Sequence, residues 1–367
     1  MVAARIHIET RLKTTLISVA LDVRDELLAF VGRSGSGKSI VLRSIAGVYT
    51  PDNASVEIEG QTISSTGLGV NTAPGARRIG YVPQAHALYP HLSVYDNVAV
   101  ALSKQHVTEQ LDADRRVAEI LDLLALWRVR DALPDRLDLM TVQRVALARA
   151  IVGDPALLLM DDPFASLPDE NRRDARSEFV SLRRQLRIPT IFATGELEEA
   201  YEIGDRIALF EGGSIVQTDE PRVLLTRPAN RLVAEIVRSV NVIPGIVMDG
   251  VADGAVLVRT SLGVLRVDSE PPFTEYVDLT IRPEQVTLIE LDDRRENAMR
   301  GTVTSATRHG SYVAVVITPT DIDDATPVHL FVSEHVYRER ELEPGVLCQI
   351  VLPPAAIHVM PRDANVP

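Results

Sequence analysis

The amino-acid sequence predicts an α/β domain followed by an all-β domain, on three observations. Over the first 240 residues short β-rich runs alternate with amphipathic helical stretches, the signature of a mostly parallel sheet covered on its faces. From Asn241 to Met360 only short strand-like runs remain, punctuated by turn residues. A glycine-rich G-x-x-x-x-G-K-[ST] segment lies between a buried-strand run and a helix, the setting of a phosphate-binding loop.

In the first domain the strand-like pieces are Thr15–Val23, Leu27–Val31, Arg78–Val82, Ala156–Met160, Thr190–Ala193 and Arg206–Phe210. Helical periodicity marks Ile40–Gly47, Val107–Trp127 and Asp169–Leu186, and Trp127 at the end of its helix is expected to pack. The second domain shows strands at Val242–Met248, Ala255–Thr260, Val264–Val267, Asp278–Ile281, Gly301–Arg308, Tyr312–Thr318, Val328–Val332, Cys348–Leu352 and Ile357–Met360, which suits a small barrel or sandwich. The expected division is 1–240 and 241–360, with the boundary within 231–241 and a frayed tail over 361–367. At 367 residues the chain has the length of about two domains.

Composition narrows the partners. Lys and Arg number 38 against 51 Asp and Glu, a net charge of −13, so general attraction to nucleic acid or to an anionic membrane surface is not expected. The single cysteine, Cys348, can form neither an intrachain disulfide nor a cysteine-based metal cluster, which fits a reducing compartment. The alternating start MVAARIHIETRLK lacks the apolar core of a signal peptide, and charges or prolines interrupt every run of about 18 apolar residues. The chain is therefore expected not to cross a membrane by itself.

The most informative residues are Gly32-Arg33-Ser34-Gly35-Ser36-Gly37-Lys38-Ser39, with Ile40 opening the helix behind them. Glycines let such a loop turn its N–H groups onto a phosphate, and the helix N-terminus adds its positive end. Lys38 would reach the β- and γ-phosphates and the Ser39 hydroxyl would hold Mg²⁺. The run Leu157-Leu158-Leu159-Met160-Asp161 has the Walker B form, a buried strand ending in a carboxylate, where Asp161 would hold Mg²⁺ through water.

With both motifs in place, the first 240 residues resemble the ATP-binding subunits of ABC transporters. Arg78-Ile79-Gly80-Tyr81-Val82-Pro83-Gln84 is similar to the family's Q-loop, which implies that Gln84 senses Mg²⁺ and the attacking water. The stretch Ala87–Val94 with Asp96-Asn97-Val98 resembles the segment that docks onto a membrane subunit. Gln143–Ala150 resembles the helix after the signature motif, and Leu197-Glu198-Glu199-Ala200 the segment after the switch loop. In the second domain, Arg300-Gly301-Thr302-Val303, Leu342-Glu343-Pro344-Gly345 and Ala356-Ile357-His358-Val359 resemble the TOBE domain of importer ATPases, closest in kind to molybdate and sulfate importers. The resemblance implies ATP and Mg²⁺ as cofactors, permease subunits and a second ATP-binding subunit as partners, and a peripheral place on the cytoplasmic face of the membrane.

Several positions depart from that family. Where Leu-Ser-Gly-Gly-Gln is usual, this chain has Leu137-Asp138-Leu139-Met140-Thr141. A carboxylate at Asp138 about 4 Å from a phosphate charge repels it by around 4 kcal/mol at an effective dielectric near 20. Asp162 replaces the catalytic glutamate and is one methylene shorter; Gly195 stands at the switch histidine, and Pro168 at the D-loop aspartate. No adenine-stacking aromatic occurs in Thr10–Thr15. These changes predict ATP binding with slow hydrolysis, and leave open a nucleotide-binding regulator without significant turnover. In molybdate-type TOBE units a Ser-Ala-Arg-Asn element binds the anion; here Arg294-Arg295-Glu296-Asn297 keeps only Asn297, and its arginines are expected to be solvated.

Overall fold

The computed structural model describes residues 2–102, 110–248, 254–269, 274–322 and 324–362. They form two compact units, Met1–Pro221 and Arg222–Pro367. In chain order the first contains β1 (Val2–Leu12), β2 (Thr15–Arg24), β3 (Leu27–Val31), α1 (Lys38–Ala46), β4 (Asn53–Ile58), β5 (Gln61–Ser65), β6 (Val70–Asn71), β7 (Ile79–Val82), α2 (Val94–Ala99), α3 (Gln110–Leu123), α4 (Leu139–Ile151), β8 (Leu157–Asp161), α5 (Asp169–Leu186), β9 (Thr190–Thr194), α6 (Leu197–Ile203), β10 (Arg206–Glu211) and β11 (Ser214–Asp219).

These strands make one sheet in the order β6-β5-β4-β1-β2-β11-β10-β3-β9-β8-β7. From β10 to β7 the neighbours are parallel. All residues of β3, β8 and β9 are buried, as their near-continuous apolar runs require of strands covered on both faces. The other arm is antiparallel except where β11 pairs in parallel with β2, and the alternating N-terminal sequence becomes β1, which places Ala4, Ile6 and Ile8 in the core. Strand β4 alternates but carries only three apolar residues, β5 buries the polar Ser64 and Ser65, and β6 has two residues, so none of the three was apparent from sequence.

Two of the three expected helices are refined, while α5 keeps the expected bounds. Helix α1 begins at Lys38, two residues early, and stops at Ala46 because Gly47 takes a left-handed cap. Helix α3 ends at Leu123; Ala125 has φ 56°, and Trp127 instead opens a separate 3₁₀ turn, Trp127–Val129. Residues 107–109 of the expected helix lie outside the described residues. Trp127 is 41% exposed, with the Arg130 guanidinium 4.6 Å from its ring centroid, so it is a surface cation–π partner and not core packing.

The second unit contains α7 (Pro221–Thr226), which begins at the division, α8 (Arg231–Ile236), β12 (Val242–Val247), β13 (Val256–Thr260), β14 (Gly263–Val267), β15 (Tyr276–Thr280), β16 (Thr287–Ile289), β17 (Ala298–His309), β18 (Tyr312–Pro319), β19 (Val328–Ser333), α9 (Glu334–Glu339), β20 (Leu347–Val351) and β21 (His358–Pro361). Two five-stranded antiparallel sheets, β14-β13-β12-β15-β21 and β16-β20-β17-β18-β19, enclose one core that includes Val258, Leu279, Val315 and Ile350. The division falls after Pro221, ahead of the 231–241 segment expected from sequence. Residues 222–240 are tied to the second unit: Arg282 Nε donates to Leu225 O at 2.6 Å and His358 Nε2 lies 3.0 Å from Pro228 O. Of the expected tail, Pro361 ends a strand and 363–367 lie outside the described residues.

Candidate functional site: a phosphate-binding cleft

Four adjacent parallel strands deliver the site. The glycine-rich loop follows β3, Gly195 follows β9, Asp161 ends β8 and Gln84 follows β7, so the residues singled out in four separate segments meet at the carboxyl ends of the strands. Ser34, Gly35, Gly37, Lys38, Ser39, Ile40, Gln84, Asp161 and Asp162 line one cleft of about 220 Å³, together with Leu12, Ala193 and Gly195. Leu12, at the β1–β2 hairpin, was not foreseen, since only the fold brings it to the loop.

Gly37 has φ 107°, a conformation that L side chains resist, and it caps the N-terminus of α1. The loop's lysine folds inward: Lys38 Nζ donates to Gly32 O at 2.6 Å, to Arg33 O at 3.1 Å and to Ser36 Oγ at 3.3 Å. Gly32, Arg33 and Ser36 thus shape the loop through these oxygens, while the Arg33 side chain is exposed. Burial lowers the Lys38 ammonium pKa, and the Asp162 and Asp161 carboxylates oppose that shift.

Ser39 Oγ donates to Asp161 Oδ1 at 2.7 Å. Asp161 is 2% exposed and its Oδ2 is buried without a hydrogen-bond partner. A carboxylate oxygen left bare beside a hydroxyl is a fitting donor pair for a hard divalent cation, so these residues suit Mg²⁺.

Gln84 Nε2 lies 3.5 Å from Asp162 Oδ2, which brings the two expected catalytic residues together. Asp162 is held at φ 49° with its N–H bonded to Ala193 O at 2.8 Å. Burial, then the Glu199 and Asp161 carboxylates, raise its pKa, and Lys38 partly offsets them. Behind it, buried Thr194 donates from Oγ1 to Glu199 Oε2 at 2.8 Å, and Glu199 pairs with Arg176 at 3.3 Å. This Thr194–Glu199–Arg176 relay ties the segment before Gly195 to α5. A Cβ at Gly195 would meet no atom within 4 Å, so the position lacks the histidine side chain without a neighbour closing over it.

Away from the cleft, Asp138 is the N-cap of α4. Its Oδ1 accepts from Thr141 N at 2.8 Å and its Oδ2 from Thr141 Oγ1 at 3.0 Å, which holds the carboxyl below its usual pKa. The helix start is therefore occupied by its own anion, with Leu139 47% exposed beside it. Pro168 stands at the N-cap position of α5 without a side-chain cap bond, and the Asp169 side chain after it is 95% exposed and pairs with Arg172 at 3.4 Å.

The segment that resembles a docking stretch is folded around Asn97, which is fully buried. Its Oδ1 accepts from Tyr89 N, and its Nδ2 donates to the carbonyls of Tyr89, Leu92 and Ser93. Arg149 of α4 donates to Ala87 O and His86 O at 2.7 Å each. A groove of about 550 Å³ opens there, lined in part by Val48, Tyr81, Pro83, Tyr89, Ala101 and Arg149. In the second unit, Asn297 is consumed by structure: Nδ2 donates to Arg266 O and Leu352 O, and Oδ1 accepts from Arg266 N. Arg295 pairs with Asp293 at 2.8 Å on the surface.

A nucleotide-phosphate cleft at the end of a parallel sheet, followed by an antiparallel two-sheet unit, defines a P-loop ATPase with a β-rich appendage. The sequence pattern of the ABC transporter family matches residues 17–165, and that of the TOBE domain matches 279–360. The chain is 31% identical to the sulfate/thiosulfate import ATP-binding protein CysA 2 of Chromobacterium violaceum, over 96% of this chain and 92% of that one. It is 34% identical to the molybdate/tungstate import ATP-binding protein WtpC of Pyrococcus horikoshii, over 74% and 75%. With the spermidine/putrescine import ATP-binding protein PotA of Aggregatibacter actinomycetemcomitans it shares 33%, over 74% and 72%. A dimeric ATP-binding cassette bound to ADP and Pi, MJ0796, aligns with TM-score 0.50 and 24% identity over 60% of this chain and 99% of that one, a likeness of fold. This chain belongs to the ABC transporter family, as an ATP-binding protein of the import type with a TOBE domain. Among the described residues, no helix is long and apolar enough to cross a membrane.

Proposed function

We propose that the chain is the ATP-binding subunit of an importer that binds Mg·ATP in the cleft, closes as a dimer and hydrolyses slowly. The observation that carries this reading is the convergence of Lys38, Ser39, Gln84, Asp161 and Asp162 on one cleft, with a short carboxylate and an open Gly195 where turnover needs reach. In it Ser39 and Asp161 hold Mg²⁺, which supplies charge neutralisation at the phosphates when bound. Lys38 turns from the loop carbonyls to the phosphates, and Asp162 with Gln84 orients water. Asp162 is one methylene short of a glutamate, and orientation at this level is sensitive to displacements of about 1 Å.

The partners we propose are permease subunits on the inner face of the membrane, received in the groove beside Tyr89 and Arg149, and a second ATP-binding subunit. The cargo class is an inorganic oxyanion, supported by what CysA 2 and WtpC import; the polyamine relative names the competing class. A second reading, a nucleotide-binding regulator, is favoured by Asp138, whose carboxylate fills a helix start that would otherwise face phosphate. Phosphate release measured with and without a co-purified permease separates the two. Sustained release that the permease stimulates supports the importer subunit; tight ATP binding with no release in either condition overturns it in favour of the regulator.

A further inference from the structure

Arg77 is 3% exposed, and none of its hydrogen bonds goes to a carboxylate. Its guanidinium instead meets four neutral oxygens. Nη1 donates to Ser44 O at 2.9 Å and Ile45 O at 2.7 Å, in the last turn of α1. Nε donates to Thr72 O at 2.8 Å and Nη2 to Asn71 Oδ1 at 2.7 Å, at the end of β6. A cation buried on helix carbonyls is favoured by the negative end of the helix dipole and satisfies acceptors that the helix leaves open.

The neighbouring turn is shaped to admit it. Gly47 caps α1 at φ 77°, and a Cβ there would stand 2.6 Å from Arg77 Cζ. The topology gives this clamp a consequence. Helix α1 starts at the phosphate loop and ends at Arg77, whereas β7 starts two residues after Arg77 and ends two residues before Gln84. The two elements that carry Lys38, Ser39 and Gln84 to the cleft thus have their opposite ends fastened at one side chain.

We propose that Arg77 is a positioning residue for phosphate binding: by clamping the last turn of α1 to the chain that enters β7, it sets where the phosphate loop and Gln84 stand. It touches no ligand. The inference rests on the cleft being a nucleotide-phosphate site, and it extends that reading to a residue outside the cleft.

Calorimetric titration of the full chain with Mg·ATP and with magnesium tripolyphosphate tests it, at temperatures well below each variant's unfolding. If the wild-type chain binds neither, the nucleotide reading itself fails. If it binds, Arg77→Met should weaken both ligands by about tenfold or more and by the same factor, since the loss lies in the phosphate cradle. Arg77→Lys, which keeps the charge but loses the planar fork, should fall between. A folded Arg77→Met chain with wild-type affinity, or one that loses affinity for ATP but not for tripolyphosphate, overturns the proposal. Should Arg77→Met fail to fold, Arg77→Lys decides, because it keeps the charge and loses the planar fork: equal weakening of both ligands supports the clamp, unchanged binding sinks it.

Discussion

The Ser39 hydroxyl donates to Asp161 at 2.7 Å while the second carboxylate oxygen of Asp161, on a side chain only 2% exposed, makes no hydrogen bond. One oxygen is fixed and the other is free, which is the arrangement a cation site needs before the cation arrives. Asp161→Asn keeps an oxygen for Ser39 and removes the charge. Its Mg²⁺-dependent ATP affinity should drop about tenfold while binding in EDTA stays at the wild-type level. Equal affinities in Mg²⁺ for the two chains would show that Asp161 is not a cation ligand.

Hydrolysis should be recoverable in part. A Cβ at Gly195 would meet no atom within 4 Å, and Asp162 faces Gln84 at 3.5 Å. Asp162→Glu with Gly195→His therefore extends the carboxylate and adds an imidazole at a position open at its Cβ. Positioned acid–base groups contribute about 10²–10⁴-fold, so even partial restoration should raise phosphate release at least tenfold. Including the Leu-Ser-Gly-Gly-Gln segment should raise it further, and no gain from the full set would refute the account of slow turnover.

How much of this was legible depends on what each signal measures. The buried parallel strands β3, β8 and β9 announce themselves because both faces are apolar, and the loop between β3 and α1 because its chemistry fixes residue types at fixed spacing. Lys38, Ser39, Asp161, Gln84 and Asp162 were all named from sequence, and they meet. Leu12 and Arg77 could not be found so. The first is an ordinary apolar residue at a hairpin, and the second one arginine among many, distinguished only by what the fold puts around it. Strands β4 to β6 were lost because they are short and polar, with Ser64 and Ser65 of β5 buried in spite of their hydroxyls. The unit boundary escaped because the tie of residues 222–240 to the second unit runs through long-range bonds such as Arg282 to Leu225.

Asp138 has two separable effects. It caps α4 through Thr141 N, and it places an anion at the helix start. Asp138→Ala should destabilise the chain by about 1 kcal/mol, read as a lowered urea midpoint, whereas Asp138→Ser retains a capping oxygen and should cost only a few tenths. If charge is what opposes closure, Asp138→Ser should also dimerise more readily in Mg·ATP during sedimentation. Identical sedimentation of the serine and wild-type chains would remove the charge from the explanation.

Acid should weaken the protein through its buried histidines. Burial depresses the pKa of His358, with Arg227 adding to the effect and the Pro228 carbonyl partly opposing it. The folded chain therefore binds fewer protons here than the unfolded one. The stability this group contributes is complete above the unfolded value, about 6.5, and is lost as pH falls towards the depressed folded value. His358→Gln keeps a donor for Pro228 O but does not titrate. Between pH 7.5 and pH 5.5 its melting temperature should fall less than that of the wild type, and parallel slopes would contradict the assignment.

Asp278 is the one fully buried carboxyl in the second unit, among the described residues, with both oxygens lacking a hydrogen-bond partner. Arg231 Nη1 stands 3.9 Å from Asp278 Oδ1, at the limit of an ion pair, on a side chain 43% exposed. Attraction to a partly hydrated guanidinium at that distance is weak, and removing the acid leaves Arg231 able to reach water and Glu235, its neighbour at 3.2 Å. Asp278→Leu, which keeps the branched skeleton on a strand next to Val277 and Leu279 but is bulkier, should therefore stabilise the chain modestly, by about 1 kcal/mol in urea titration. Asp278→Asn should do less, because its amide would still be buried without partners. A destabilised leucine variant would mean that Asp278 engages Arg231 more closely in solution, and an Arg231→Met chain would then be destabilised as well.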